Sequence, residues 1–200
     1  MGHPNYFESL ELPLSPFLDE ELLKQNYLRL SSNAHPDRAK GGSDKTELDP
    51  SVINEAFKQL AKMPTRLRHL LLLLTGEVPE SLKQIPEAVG DRFMEVGEVL
   101  RQADALLREK PGEDAGELNR VLFLKKSLPI RGQMEKLQGQ LHQDELVLMD
   151  RLSAYESSWG EDVLSVTEEW IDSLTLIYHE WTFLEKWRQQ LGSRLLECMV

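Results

Sequence analysis

Apolar residues recur along this chain at three- and four-residue steps and almost nowhere alternate, so the pattern predicts helices throughout. In the stretch 22–38, Leu23, Tyr27, Leu30 and Ala34 fall on one helical face. Asp19 is placed to cap that helix, and Glu20 and Glu21 sit in its first turn, where the helix dipole favours negative charge. Pro36 ends it, because the residue before a proline is pushed out of the helical region. Before it, residues 6–12 form a short apolar-polar stretch closed by Pro13 and Pro16; after it, 38–49 is polar, contains Gly41 and Gly42, and reads as a loop. Asp49-Pro50 restarts a helix with a capping residue and a first-turn proline, and Ile53, Ala56, Phe57 and Leu60 give it one apolar face. Pro64 breaks that helix, and 65–74 forms another that Gly76 can cap. The first part of the chain is thus two antiparallel helices joined by an exposed loop that begins with His35-Pro36-Asp37.

Beyond Gly76, the segment EVPESLKQIP carries Pro79 and Pro86 and reads as a hinge over 77–86. Longer helices are expected after it. Over 86–109, Phe93, Val96, Leu100, Ala103 and Leu107 share a face; 110–116 is a turn; 118–128 is a shorter helix closed by Pro129. Over 133–155 the stripe is Met134, Leu137, Leu141, Leu148 and Leu152, and a last helix from 161 to about 197 carries Val166, Trp170, Leu174, Ile177, Trp181, Leu184, Leu191 and Leu195. Long helices with short connections pack as an antiparallel bundle. The expected fold is all-α: a small domain over 1–76, the hinge, and a bundle over 87–200. Its Trp and Leu stripes are assigned to the core.

Charge sharpens that division. Residues 1–76 hold nine Lys and Arg against ten Asp and Glu, whereas the remainder holds 14 against 24. The net charge of −11 argues against nucleic acid or an anionic membrane as a general partner. The longest apolar run, 70–74, is far too short to span a bilayer, and the opening MGHPNYFESL shows neither a secretory nor a myristoylation signal. Cys198 alone excludes a disulfide framework or a Cys-based zinc site, which suits a reducing, cytoplasmic setting; so near the end it reads as a frayed tail thiol.

Candidate chemistry is sparse. His35 and Asp37, two residues apart in a turn, could serve as an acid/base pair, as metal ligands or simply as a turn. Two ligands without a third make no metal site, and no His/Cys/Asp cluster completes one, so no metal and no cofactor are expected. There is no phosphate loop or nucleophile elbow. His69, His142 and His179 are scattered and read as structural or surface residues.

Two ordered blocks give these residues a context. NYFESLELPLSPFLDEELLKQNYLRLSSNAHPDR resembles the J-domain of DnaJ-type co-chaperones, and within them HscB, the co-chaperone of iron–sulfur assembly, through Tyr6-Phe7, Leu10, Leu12-Pro13, Phe17, Asp19, Leu23, Tyr27, Leu30 and His35-Pro36-Asp37. INEAFKQLAKMPTRLRHLLLLLTG (53–76) is similar to the end of that domain, with Asn54-Glu55-Ala56, Leu60, Pro64 and a Leu run ending in Gly. The resemblance implies that His35, Pro36 and Asp37, with Lys24, Tyr27 and Arg29 on the second helix and Arg38 after the Asp, dock on a DnaK/HscA-type chaperone ATPase and trigger its hydrolysis. The chemistry would be the partner's, so the chain itself is expected not to be an enzyme. Lys24 and Arg29 also fit a plain solvated face, and Tyr27 lies on the predicted core face. Ala34 replaces the family's usual aromatic before the His, Leu28 stands where a basic residue is common, and Ser31 and Ser32 weaken the basic stripe.

In the second part, DRFMEVGEVL (91–100) and YHEWTFLEKWRQQL (178–191) are similar to the first and last helices of the family's bundle, which holds the IscU-type scaffold. Carried over by position, Phe93, Met94, Glu98 and Phe183 match scaffold-contacting residues; Phe93 and Phe183 equally fit bundle core. Gly97 and Arg101 depart from the family pattern, and 110–159 has no match. The implied function is delivery of an IscU-type scaffold to the chaperone and stimulation of its ATPase. Alternatives are a J-protein with another client, and a helical interaction module that does not stimulate.

Overall fold

The structure, a computed structural model, describes residues 4–34, 49–80, 85–112, 114–154 and 167–199. It contains no strand among the described residues. Seven helices run in order among the described residues: α1 Tyr6–Ser9, α2 Glu20–Asn33, α3 Pro50–Leu60, α4 Met63–Thr75, α5 Gly90–Leu107, α6 Glu117–Ser153 and α7 Glu168–Glu197, with a 3-10 turn, Glu87–Val89, leading into α5. The chain divides into two compact units. One is Met1–Ser81 with Tyr155–Tyr178, the other Leu82–Ala154 with His179–Val200, so the division falls within α7.

In the first unit the expected start and stop signals operate. The Asp19 carboxylate accepts the Glu21 and Leu22 N–H groups and opens α2; Asp49 accepts from Ser51 and opens α3, with Pro50 in its first turn. Gly76 closes α4 at φ 77°, a left-handed conformation in which glycine alone is unstrained. Residues 6–9 add a short helix that the alternating pattern did not predict, capped by Asn5. Packing centres on α3, which lies against α1, α2 and α4. Its Ile53, Ala56 and Leu60 are completely buried with Phe7, Leu10, Leu67 and Leu70 around them, each large side chain removed from water stabilising the fold by about 1.5–3 kcal/mol.

Three polar side chains complete this core, and all three hold the irregular N-terminal segment. Asn26, on α2, donates through Nδ2 to the Leu10 carbonyl at 2.9 Å and to that of Glu11 at 3.3 Å. His69, on α4, accepts the Tyr6 N–H at Nε2 (3.0 Å) and packs its ring against Tyr6 and Phe7. Arg66 is only 4% exposed; its Nε donates to the Leu60 carbonyl (2.8 Å) and its Nη1 to that of Pro16 (2.9 Å). Burial pulls the Arg66 pKa below the usual arginine value, partly offset by the charge of Glu20.

The second unit is a three-helix bundle whose directions follow from its cross-links. Arg92 meets Asp144 (2.7 Å) and Glu109 meets Lys126 (2.8 Å), so α5 and α6 are antiparallel. Arg151 meets Glu180 (2.6 Å) and Glu145 meets Arg188 (3.6 Å), so α6 and α7 are antiparallel too. Asp104 meets Arg194 (2.5 Å), and Lys110 Nζ donates to the Glu197 carbonyl (2.9 Å), so α5 and α7 run parallel. Met134, Leu137, Leu141, Leu148 and Leu152 line the buried face of α6 as expected, and Trp181 and Trp187 are buried on α7. Trp170 is buried on the part of α7 that belongs to the first unit. Val166 and Trp159 lie outside the described residues.

Two expectations are corrected. Pro129 does not close a helix: α6 is continuous from Glu117 to Ser153. A proline within a helix costs about 3 kcal/mol, but here both Pro129 and Lys125, whose carbonyl loses its N–H partner, face solvent. The 37-residue helix supplies ample hydrogen bonding on either side. Cys198 is not a frayed thiol. It is buried at the end of α7, its N–H on the Arg194 carbonyl (3.0 Å), because Arg194 and the Glu197 carbonyl are tied to α5 and the loop after it; burial pushes the thiol pKa up. The described part of α7 runs from Glu168, with Thr167 Oγ1 accepting the Trp170 N–H; the expected start near 161 lies outside the described residues.

Two outcomes test this packing. Arg66→Met keeps the apolar stem and removes both donors, so urea unfolding is expected to show a loss of about 2–4 kcal/mol, while Arg68→Met on the exposed face changes little. Burial holds the His179 pKa below its ordinary value, so folding disfavours its proton. The stability this contributes is complete above the unfolded value of about 6.5 and is lost as pH falls through the folded value. Unfolding measured from pH 7 downward should show that decline, and His179→Gln should flatten it.

Candidate functional site

The helix that precedes His35 is set by contacts on its inner side. Leu23 and Leu30 are buried and Asn26 holds the N-terminal segment, so Lys24, Gln25, Leu28 and Arg29 are left facing solvent. Tyr27 lies between these faces. Its ring stacks on Phe57 of α3 at 4.2 Å and its hydroxyl donates to Asn54 Oδ1 at 2.9 Å. Both the core reading and the surface reading of Tyr27 therefore have a physical basis: the ring packs, the hydroxyl end is at the surface. Arg29 is paired with Glu11 (2.5 Å), which holds its guanidinium over the N-terminal segment. Lys24 is exposed, and Leu28 presents an apolar side chain beside it. His35, Pro36, Asp37 and Arg38 lie outside the described residues; α2 ends at Asn33, two residues before the His.

The second candidate site is built on α5 and α7. Parallel packing of these helices brings Phe93 and Phe183 against one ring, Trp187, with centroid separations of 6.3 and 5.6 Å. Trp187 is buried, whereas Phe93 is 42% exposed and Phe183 is half-buried. Met94, next to Phe93, is 70% exposed. Glu98 lies one turn further along α5. Its carboxylate accepts from the Arg101 guanidinium at 2.7 Å and from Gln102 at 2.7 Å, and these hydrogen bonds, with Arg101 first, hold its pKa below the usual carboxylate range. Between them Gly97 is exposed, and a Cβ added there meets no atom within 4 Å. The geometry thus gathers Phe93 and Phe183 around Trp187, puts Met94 on the surface beside Phe93, and leaves Glu98 occupied by a neighbouring cation.

Comparison with known proteins is consistent across sequence and fold. The chain superposes on the crystal structure of human co-chaperone protein HscB with a TM-score of 0.54, covering 93% of this chain and 81% of that one at 21% identity. On chaperone HscB from Vibrio cholerae the TM-score is 0.55, covering 95% and 96% at 18% identity. Over 69 residues it is 39% identical to the co-chaperone HscB homolog of Acinetobacter baumannii strain AYE and 38% to that of Acinetobacter baylyi. The chain is HscB-like. These sequence matches take in 34% of this chain and span 40% of the length of each HscB homolog. No protein-family model matches. Over the rest, likeness to HscB is one of fold.

Trp187, the ring on which both phenylalanines rest, is buried as the assignment of the Trp residues to the core expects. Three other residues that hold these sites in place leave no periodic signal. Asn26, Arg66 and His69 are polar residues at positions where only apolar ones mark a core. Among the described residues no group of three His, Cys, Asp or Glu side chains is placed to hold a metal ion, and no helix is long and apolar enough to cross a membrane.

Met94 and Phe183 should separate in a stability assay. Met94→Ala is expected to stay within about 0.5 kcal/mol of the parent, because most of its surface is exposed. Phe183→Ala uncovers the Trp187 ring and is expected to cost about 1–3 kcal/mol, with a red-shifted tryptophan emission in the native state.

Proposed function

We propose that this chain is a J-domain co-chaperone that recruits a DnaK/HscA-type chaperone through residues 1–76 and carries an IscU-type iron–sulfur scaffold on its acidic bundle, 87–200, with 77–86 as the connection. His35, Pro36 and Asp37 with Lys24, Tyr27, Arg29 and Arg38 form the chaperone-facing surface. They act by contact and by positioning the partner's machinery, so the chain does no catalysis of its own and needs no cofactor. Complementary charge between a basic face and an acidic docking surface speeds encounter and sets register. Here Lys24, with Arg29 turned toward Glu11, supplies that face in reduced form. The setting that fits such a partnership is the cytoplasm.

The observation that carries the client assignment is the aromatic cluster of Phe93, Trp187 and Phe183 with Met94 exposed at its edge. An anchored aromatic pair with a flexible thioether beside it suits a protein interface, where a few central side chains dominate the binding energy. Gly97 and the Glu98–Arg101 pair favour the second reading, a different client, because the patch lacks a side chain at its centre and its carboxylate is already neutralised.

Stimulation of ATP hydrolysis by the cognate chaperone is the direct test. The chain is expected to accelerate it, and His35→Gln to abolish the effect with an unchanged circular dichroism spectrum; stimulation that survives the substitution removes the loop from the mechanism. Scaffold binding is tested separately by titration calorimetry. Met94→Ala is expected to weaken it by about 2 kcal/mol and Glu98→Ala only mildly. Gly97→Leu fills open space, gains about 0.8 kcal/mol of helix stability and should tighten scaffold binding. Scaffold affinity indifferent to all three would transfer the bundle to another client.

A further inference from the structure

We propose that Glu11 is a specificity-determining residue toward the chaperone: its carboxylate holds the Arg29 guanidinium as an ionic latch, which a carboxylate of the chaperone must displace in order to dock. The inference rests on the chaperone-facing role proposed for α2 and concerns a residue that role does not include. Arg29 Nη2 lies 2.5 Å from Glu11 Oε2, and the two side chains are 48% and 58% exposed. The pair ties the segment after α1 to α2 across 18 positions of sequence.

The backbone that carries this carboxylate is strained. The end of α1 turns left-handed: the Glu11 N–H donates to the Glu8 carbonyl (3.0 Å) and the Leu12 N–H to the Phe7 carbonyl (2.8 Å). Phe7 and Leu12, the apolar pair that accompanies such a turn, are both buried. Glu11 is thereby held at φ 54°, where glycine is the usual occupant, and among the described residues it is the one non-glycine residue with a positive φ. Leu10 and Leu12, buried on either side, and the Asn26 amide on the Leu10 and Glu11 carbonyls fix that conformation. Strained residues of this kind cluster at clamps and switches. What Glu11 supplies there that glycine lacks is the carboxylate on Arg29.

The consequence follows from charge. Two cations stand on α2, Lys24 and Arg29. Joined to Glu11, Arg29 adds no net charge to that face, and its Nη2 is already engaged. A carboxylate of the chaperone therefore gains Arg29 only by exchange for the intramolecular pair. An exposed pair shifts such an equilibrium by about 1.5- to fivefold, so the latch tunes docking without forbidding it. It bears hardest on a chaperone whose acid meets Arg29 in poor alignment, and least on one that makes a bidentate pair with the guanidinium.

The test uses the full chain and the ATP-bound DnaK- and HscA-type chaperones of the same organism, with affinity read by biolayer interferometry and folding checked by circular dichroism. Glu11→Gln removes the charge and keeps the strained backbone, whereas Glu11→Gly removes both. Each is expected to tighten binding about threefold. Arg29→Gln is expected to weaken binding about threefold more in the Glu11→Gln background than in the parent, a coupling that a general change of charge, being additive, does not produce. Three results overturn the latch while chaperone docking stands. The first is additivity of the two substitutions. The second is tightening by Glu11→Gly alone, which assigns the effect to the backbone. The third is weakening by Glu11→Gln, which makes Glu11 a residue that presents Arg29. Binding of neither chaperone by the parent or any variant overturns the chaperone reading itself, and the latch with it.

Discussion

The backbone between Tyr6 and Pro16 cannot satisfy its own polar groups, and the first unit is arranged around that constraint. This segment has one short helix and no strand partner, yet Leu10 and Pro16 are buried. Buried carbonyl and N–H groups without partners are costly. Asn26, Arg66 and His69 therefore reach in from α2 and α4 to supply the missing donors and acceptor. Each of these hydrogen bonds fixes a helix as well as a loop. Asn26 sets the rotation of α2 about its axis, and that rotation decides that Tyr27 meets Phe57 while Lys24 faces water. The presentation of the helix before His35 is thus determined by a polar contact on its opposite side.

The bundle is organised differently. Its core is apolar and aromatic, and its cross-links are ion pairs at the edges, most of them partly exposed. Such pairs individually contribute little, but their positions fix the relative direction of all three helices. The exception is Glu180, buried and paired with the half-buried Arg151; breaking that pair would strand a carboxylate in the core. Parallel alignment of α5 and α7 follows from α6 running back between them, and it is this alignment that brings residues 93 and 183, ninety positions apart, onto the same tryptophan.

Helix periods, caps and breakers were legible because each rests on a local rule. Asp19, Asp49 and Gly76 cap helices by satisfying the orphan groups of their own turn, whatever the rest of the chain does. Pro129 misled for the complementary reason. A proline costs a local amount that a long helix can absorb when the lost hydrogen bond faces water, and the length of a helix is not a local property. Cys198 was misread because tail position says nothing of tertiary contact, and the Arg194–Asp104 and Lys110–Glu197 links that enclose it join residues nearly ninety apart. Phe93 and Phe183 are legible by family likeness and Trp187 by its period, three residues after Leu184 and four before Leu191; that the two phenylalanines meet on that one ring is a matter of helix packing, which no local rule gives.

The charges around Phe93 and Met94 bear on what that surface can bind. Asp91, Glu95 and Glu98 are exposed around it, but Glu95 is held by Arg92 and Glu98 by Arg101. Specificity is a difference of affinities, and an unfavourable charge excludes a wrong partner as effectively as a good contact retains the right one. With these two carboxylates already paired, this surface excludes little by charge: a cationic partner must displace Arg101 before it meets Glu98, in exchange for a pair of no greater strength. Discrimination at this surface therefore falls to the shape of Phe93, Met94 and the tryptophan beneath them.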